Sequence, residues 1–115
     1  MIRFKDWLPQ GVIPAVLPPF HSDFSIDEKS YRKHLCDVVP VDGISAITVN
    51  DYFSEVHACT VEEQREVLEI TLDEIGNRVP VTAGVYADGS LEAAWIVPWP
   101  RRAARRAFSS FRRRA

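Results

Sequence analysis

Short apolar runs alternate with amphipathic stretches along this chain. Val12-Ile13-Pro14-Ala15-Val16-Leu17 stops at Pro18-Pro19, Ile44-Ser45-Ala46-Ile47-Thr48-Val49 follows Asp42-Gly43, and Val79-Pro80-Val81-Thr82-Ala83-Gly84-Val85 follows Gly76-Asn77. Each run is nearly continuously apolar, the pattern of a parallel strand covered on both faces. Helix signals lie between them. Ser25-Ile26-Asp27-Glu28 has the S-x-x-E form that makes Ser25 a helix N-cap, and Tyr31, Leu35 and Val38 recur behind it at i, i+4, i+7. Thr60-Val61-Glu62-Glu63 repeats the box ahead of Leu68, Leu72 and Ile75, and Gly76 takes the place of a left-handed C′ glycine. Asp88-Gly89-Ser90 predicts a turn into a third helix from Leu91.

Strand starts at residues 12, 44 and 79 fit βαβ units with right-handed crossovers. Two architectures share that rhythm. A doubly wound nucleotide-binding sheet carries a glycine-rich phosphate loop after its first strand, and here that place holds Leu17-Pro18-Pro19-Phe20. The α/β barrel is therefore the favoured class. A whole (β/α)8 TIM barrel takes about 250 residues, so the chain's 115 residues are expected to hold a partial barrel: strand, helix, strand, helix, strand. The expected divisions are a leader over 1–10, the barrel portion over 11–94 and an unrelated tail over 95–115. Pro98 and Pro100 interrupt the third helix where the tail begins.

Charge sharpens that division. Residues 1–94 hold all sixteen acidic residues and seven basic ones, 7 − 16 = −9, whereas 95–115 hold seven arginines and no acid. Cys36 and Cys59 stand apart, with no spacing for zinc, as two reduced thiols would. The first residues have no apolar signal-peptide core, and no apolar run approaches the roughly 20 residues of a membrane span. The expected compartment is the cytoplasm, with no membrane partner.

From Gly11 to Ala94 the order of signals resembles the dihydrodipicolinate synthase and N-acetylneuraminate lyase family. Its opening strand is close to G-x-x-x-A-x-x-T-P-F, and this chain reads Gly11-Val12-Ile13-Pro14-Ala15-Val16-Leu17-Pro18-Pro19-Phe20. Its second strand leads to G-T-T-G-E and a helix opening near L-T-x-x-E-R. Here Asp51-Tyr52-Phe53-Ser54-Glu55 is followed by Cys59-Thr60-Val61-Glu62-Glu63-Gln64-Arg65. Arg78-Val79-Pro80-Val81-Thr82-Ala83-Gly84-Val85 matches the family's R-x-P-V-x-A-G-V. The resemblance implies the opening third of an eight-stranded barrel lyase that forms a Schiff base with pyruvate or another 2-oxo acid. The family needs no further cofactor, and its members form oligomers.

The departures concern the substrate. In the family the G-T-T-G-E loop binds the substrate carboxylate through backbone N–H groups and threonine hydroxyls. Tyr52 and Phe53 occupy the threonine positions, Ser54 the second glycine, and Glu55 alone is retained. Phe53 has no side-chain donor, and Tyr52 carries its hydroxyl ångströms further out. Pro18 likewise replaces the threonine of T-P-F. The pattern Asn50-x-x-x-Ser54-Glu55 resembles one branch of the family with a different substrate. The Schiff-base lysine and proton-shuttling tyrosine of the family lie on later strands. Lys5, Lys29 and Lys33 are the only lysines here, and none falls at the C-terminal end of a strand, where barrel chemistry occurs. No catalytic residue is therefore expected in this chain, and whether it is an enzyme alone stays open.

The remaining candidates are weaker. His21, His34 and His57 with Glu55 are the conceivable metal ligands, but no His-x-x-x-His pair exists and no metal site is expected. Glu55 is expected to cap the second helix or to accept backbone N–H groups of its own loop. The tail reads three ways. Its arginines with Trp99, Phe108 and Phe111 suit a nucleic-acid arm. As a membrane-surface helix it is interrupted by Ser109 and Ser110. As a GC-rich gene read out of frame it needs no partner, and one encoding of Arg105–Arg113 read in another phase gives Glu-Gly-Val-Gln-Gln-Leu-Pro-Pro. The third reading is favoured. The non-enzymatic alternative is a small binding protein using the arm, which a mobility shift at about 150 mM salt would reveal. Isolated, the open parallel edge predicts poor solubility or a molten state.

Overall fold

The computed structural model describes residues 7–103. Lys5 and the leader's first six residues lie outside them, as do Arg105, Arg106, Phe108, Phe111 and Arg112 to Arg114, so the readings of the distal tail fall beyond the described structure.

The three expected strands lie side by side in parallel, with the middle one second in sequence. Strand β1 (Ile47–Val49) pairs with β2 (Val81–Ala83) in the register Ile47↔Val81, Thr48↔Thr82, Val49↔Ala83. The segment 12–16 joins through two isolated parallel bridges, Val12↔Ile44 and Ala15↔Thr48, rather than as a continuous strand. Two causes are visible. Pro14 has no N–H to give the ladder. The pairing offset also changes, from 44 − 12 = 32 to 48 − 15 = 33, so one residue of the middle strand is extra and bulges.

Helix α1 (Glu28–Val38) corrects the expected cap. Asp27 is the N-cap, accepting from Ser30 N at 3.1 Å and from Ser30 Oγ at 2.7 Å. Ser25 instead donates its N–H and hydroxyl back to Asp23 at 3.0 and 2.6 Å. The antiparallel bridge Phe20↔Ile26 keeps residues 25 and 26 extended, so the helix can start only beyond them. Helix α2 (Val61–Ile75) has the predicted box complete: Thr60 Oγ1 accepts from Glu63 N at 3.1 Å, and Thr60 N donates to Glu63 Oε1 at 2.9 Å. Gly76 is not left-handed, with φ −62°. Space selects glycine there, since a Cβ would lie 2.5 Å from Leu72 O.

Helix α3 (Ser90–Ile96) begins one residue earlier than predicted and ends before Pro98. Residues 99–103 are helical again. Ile96 and Ala103 are buried, and Trp99 packs on the core beneath the Arg65 guanidinium at 5.5 Å. The expected boundary at residue 95 thus falls inside a helix.

Both long helices lie on one face of the sheet. Ile47, Val49, Val81 and Ala83 meet Tyr31, Leu35, Val67, Leu68 and Ile75 there, while Ala15, Thr48 and Thr82 form a row across the three strands. Arg32 ties the helices together, donating to Glu28 at 3.0 and 2.9 Å, to Asp73 at 2.9 Å and to Glu74 at 2.8 Å. Beneath it, Tyr31 is fully buried with its hydroxyl 2.7 Å from Thr71 Oγ1, whose own proton goes to Val67 O at 2.7 Å. Tyr31 is therefore the donor of the pair.

That chain of bonds sets an order of effects. Tyr31→Phe leaves Thr71 bonded to Val67 and should cost about 1 kcal/mol, whereas Thr71→Val strands a buried phenol and should cost about 2–3 kcal/mol by urea denaturation. Burial also pushes the Tyr31 phenol from 10.0 up to about 12. The folded state holds this proton more tightly than the unfolded one, so the contribution is intact below pH 10 and declines as pH rises toward 12. Tyr31→Phe should abolish that part of the alkaline loss.

Candidate functional site

The loop expected to meet substrate leaves the C-terminal end of β1, and four residues outside the expected set hold it. Val49 O accepts from Gly84 N at 2.8 Å, so the chain beyond β1 lies directly against the end of β2. Asn50 then turns it with a left-handed φ of 55°, a conformation asparagine tolerates better than most residues. Its buried side chain donates Nδ2–H to Gln64 O on α2 at 2.9 Å. Gln64, also buried, donates to Cys59 O at 3.3 Å, which ties the loop's far end to the same helix.

Asp51 organises the middle. Its carboxylate accepts from Tyr52 N at 2.7 Å, and its carbonyl accepts from Ser54 N at 2.9 Å and Val56 N at 3.4 Å. Two short 3₁₀ turns result, Tyr52–Ser54 and Val56–Ala58. The Tyr52 N–H that would otherwise be open to an anion is thus taken by a resident carboxylate.

The loop projects its aromatic side chains. Tyr52 and Phe53 are 70% and 75% exposed, set edge-to-face at 6.0 Å, and Tyr52 stacks on His57 at 5.5 Å. Ser54 is buried, and its Oγ has no hydrogen-bond partner among the described residues. Glu55 is exposed with a left-handed φ of 58°. Its side chain does not cap α2, because Thr60 does; the Asp51 carboxylate holds Tyr52 N, and the Glu55 carbonyl accepts from Ala58 N at 2.9 Å.

Other reactive groups lie away from this loop or are unactivated. Lys29 and Lys33 are exposed on α1, and the bond from Lys33 to Asp37 raises its pKa, keeping it protonated. Cys36 is raised by its hydrogen bond to Glu74, and Cys59 by burial, so neither thiol is poised as a thiolate. His21 sits 3.8 Å from Asp27, His34 is exposed, and His57 stacks on Tyr52. Among the described residues no three His, Cys, Asp or Glu side chains converge as a metal site would require, and no helix is long and apolar enough to cross a membrane.

Known proteins share this fold. The sequence model of the dihydrodipicolinate synthetase family matches residues 8–98. The 4-hydroxy-tetrahydrodipicolinate synthase of Dechloromonas aromatica is 34% identical over 93 residues, which are 81% of this chain and 32% of that protein. The crystal structure of chloride-inhibited dihydrodipicolinate synthase from Acinetobacter baumannii, complexed with pyruvate, superposes with a TM-score of 0.73 at 26% identity, covering 82% of this chain and 32% of that one. N-acetylneuraminate lyase from Mycoplasma synoviae superposes at 0.75 over 88% of this chain and 34% of its own, with 17% identity, a likeness of fold. The chain spans about a third of the length of these relatives. Since the match runs unbroken from the first extended segment through the loop to α3, the chain belongs to the dihydrodipicolinate synthetase family.

Proposed function

We propose that this chain supplies the opening units of a barrel lyase that forms a Schiff base with a 2-oxo acid, and that it carries the substrate loop without the nucleophile. The observation behind this reading is the position of residues 50–55, at the C-terminal end of a parallel strand inside the matched stretch. Tyr52 and Phe53 are the substrate-contacting positions, with Ser54 and Glu55 shaping the turn. The chemistry around them disfavours a bare carboxylate. Asp51 places a negative charge at the turn and occupies the Tyr52 N–H, and Phe53 offers no donor. The substrate is therefore a 2-oxo acid whose larger part meets aromatic walls at this loop. The lysine that would form the imine belongs to later strands, as the resemblance implies.

A loop exchange tests this. The Dechloromonas aromatica relative, given Asp51-Tyr52-Phe53-Ser54 in place of its own corresponding residues, should lose about 100-fold or more in kcat/KM for pyruvate. By the family resemblance two threonine hydroxyls of that loop bind the substrate carboxylate, and each bond to a charged group is worth about 1.5–3 kcal/mol. Unchanged pyruvate kinetics would remove the loop from substrate binding.

The arginine-rich stretch takes no part in that function. We read it as a change of reading frame, supported by the family match ending at residue 98 and the first arginine pair standing at 101–102. The encoding DNA should continue the barrel sequence in a second phase past codon 98. A gene with no such continuation would contradict this.

A further inference from the structure

Phe24 is left-handed, with φ 70°, and its side chain is 83% exposed. A bulky residue in that conformation is strained, and little of this ring is buried to offset the strain. The loop that carries it leaves the C-terminal end of segment 12–16. That is the end of the parallel sheet from which the loops after β1 and β2 also leave. Among the described residues these three loops expose five aromatic side chains: Phe20 and Phe24 on the first, Tyr52 and Phe53 on the second, Tyr86 on the third. His57 adds another flat ring, stacked on Tyr52 with 27° between their planes.

Charge narrows what can lie against them. Residues 17–27, 50–60 and 84–89 contain no lysine or arginine, and they carry Asp23, Asp27, Asp51, Glu55 and Asp88. A substrate tail with a second negative charge would meet like charges there. Three of these carboxylates are engaged within their own loops: Asp23 accepts from Ser25 Oγ, Asp27 from Ser30 Oγ and Asp51 from Tyr52 N. Fewer acceptors are thus left for the hydroxyls of a sugar-like tail.

We propose that the strand-end loops select a 2-oxo acid whose tail is a neutral aryl group, with Phe24 and Tyr86 joining Tyr52 and Phe53 as specificity-determining residues. This deepens the lyase reading and rests on it for the 2-oxo acid. Aromatic rings pair edge-to-face or offset, and Tyr52 and Phe53 already stand edge-to-face at 6.0 Å with most of both side chains open. An aryl tail extends that arrangement without bringing charge to an acidic rim. Strain at Phe24 is the cost of carrying a ring on a turn that glycine would make freely.

The test titrates the full chain with phenylpyruvate, 2-oxoglutarate, 2-oxogluconate and benzyl alcohol, following its aromatic side chains by NMR. Phenylpyruvate should bind about tenfold or more tighter than either of the other acids and shift Phe24, Tyr52, Phe53 and Tyr86 together. Phe24→Gly should raise the urea midpoint yet weaken phenylpyruvate binding about threefold or more, a pairing that a purely structural ring would not give. Phe53→Leu should weaken that binding to a similar degree. The alcohol separates the two readings. Binding of benzyl alcohol as tight as that of phenylpyruvate would support aryl selection and count against the 2-oxo acid. Acids that bind alike whatever their tail would overturn aryl selection and leave the lyase reading in place. Tighter binding of 2-oxogluconate, no shift with any probe, or a Phe24→Gly variant that binds phenylpyruvate as the parent does would each overturn the proposal. So would ring shifts that follow chain concentration without ligand, which would assign these rings to a second copy.

Discussion

Gly84→Ala should destabilise the chain by about 3 kcal/mol or more and release the loop over residues 50–60. A Cβ at this position would stand 2.2 Å from Asn50 O, 2.8 Å from Asn50 C and 3.2 Å from Asp51 Cα. All three are backbone atoms, so no side-chain rotation relieves the contact. Asn50 is itself fixed, by its left-handed turn and by the bond from Nδ2 to Gln64 O. Added atoms in a packed site cost about 1–3 kcal/mol, occasionally more, and a rigid backbone partner puts this case at the upper end. The urea midpoint should fall sharply, and a protease should begin to cut between residues 50 and 60. Gly89→Ala is the control. Its Cβ would meet nothing within 4 Å, and at an N-cap position the exchange should cost under about 1 kcal/mol. A Gly84 variant no less stable than the Gly89 variant would show that the loop is not held by this close approach.

Gly84 also illustrates what could be read in advance and what could not. A glycine inside an apolar run signals either a bulge or the close approach of another backbone. The sequence does not say which backbone approaches, because Asn50 lies 34 residues away and comes near only through the parallel crossover. The periodic features were fully legible. Tyr31 and Leu35, and Leu68 and Ile75, point inward as their spacing requires, and Thr60 with Glu63 forms the box that its motif promises. Where two local signals competed, spacing alone was insufficient. Ser25 carries the box motif, but the bridge between Phe20 and Ile26 holds it outside the helix and Asp27 becomes the cap. Gly76 fits a terminating glycine by position, but its φ stays helical and the crowding of Leu72 O explains it instead.

The loop was visible as a position more than as an arrangement. Tyr52 and Phe53 stood out because they replace small hydroxyl residues in a resembled motif. Asp51 and Gln64 did not, because their roles depend on backbone atoms that the turn alone brings near. A charged residue in place of a glycine reads from sequence as a loss. In the folded loop it supplies the hydrogen bond that holds Tyr52 N and makes the 3₁₀ turn. Polar Gln64 on the buried side of α2 was the one available signal for the staple, since a buried amide must find partners.

The claim that the chain holds the loop but not the nucleophile is tested most directly by reductive trapping. Borohydride reduces an imine to a stable amine, so it marks a lysine only if that lysine has first condensed with the 2-oxo acid as a free amine. A lysine of ordinary pKa near 10.4 is neutral in only about one molecule in 2,500 at pH 7. A barrel enzyme overcomes this by burying its lysine. Lys29 and Lys33 are exposed on α1, and Asp37 holds Lys33 in its charged form. Incubated with pyruvate and borohydride at pH 7 and analysed by intact mass spectrometry, the chain should retain its unmodified mass. The full-length Dechloromonas aromatica relative, treated in parallel, should gain one adduct. Stoichiometric labelling of this chain at Lys5, Lys29 or Lys33 would contradict the assignment of its nucleophile to later strands.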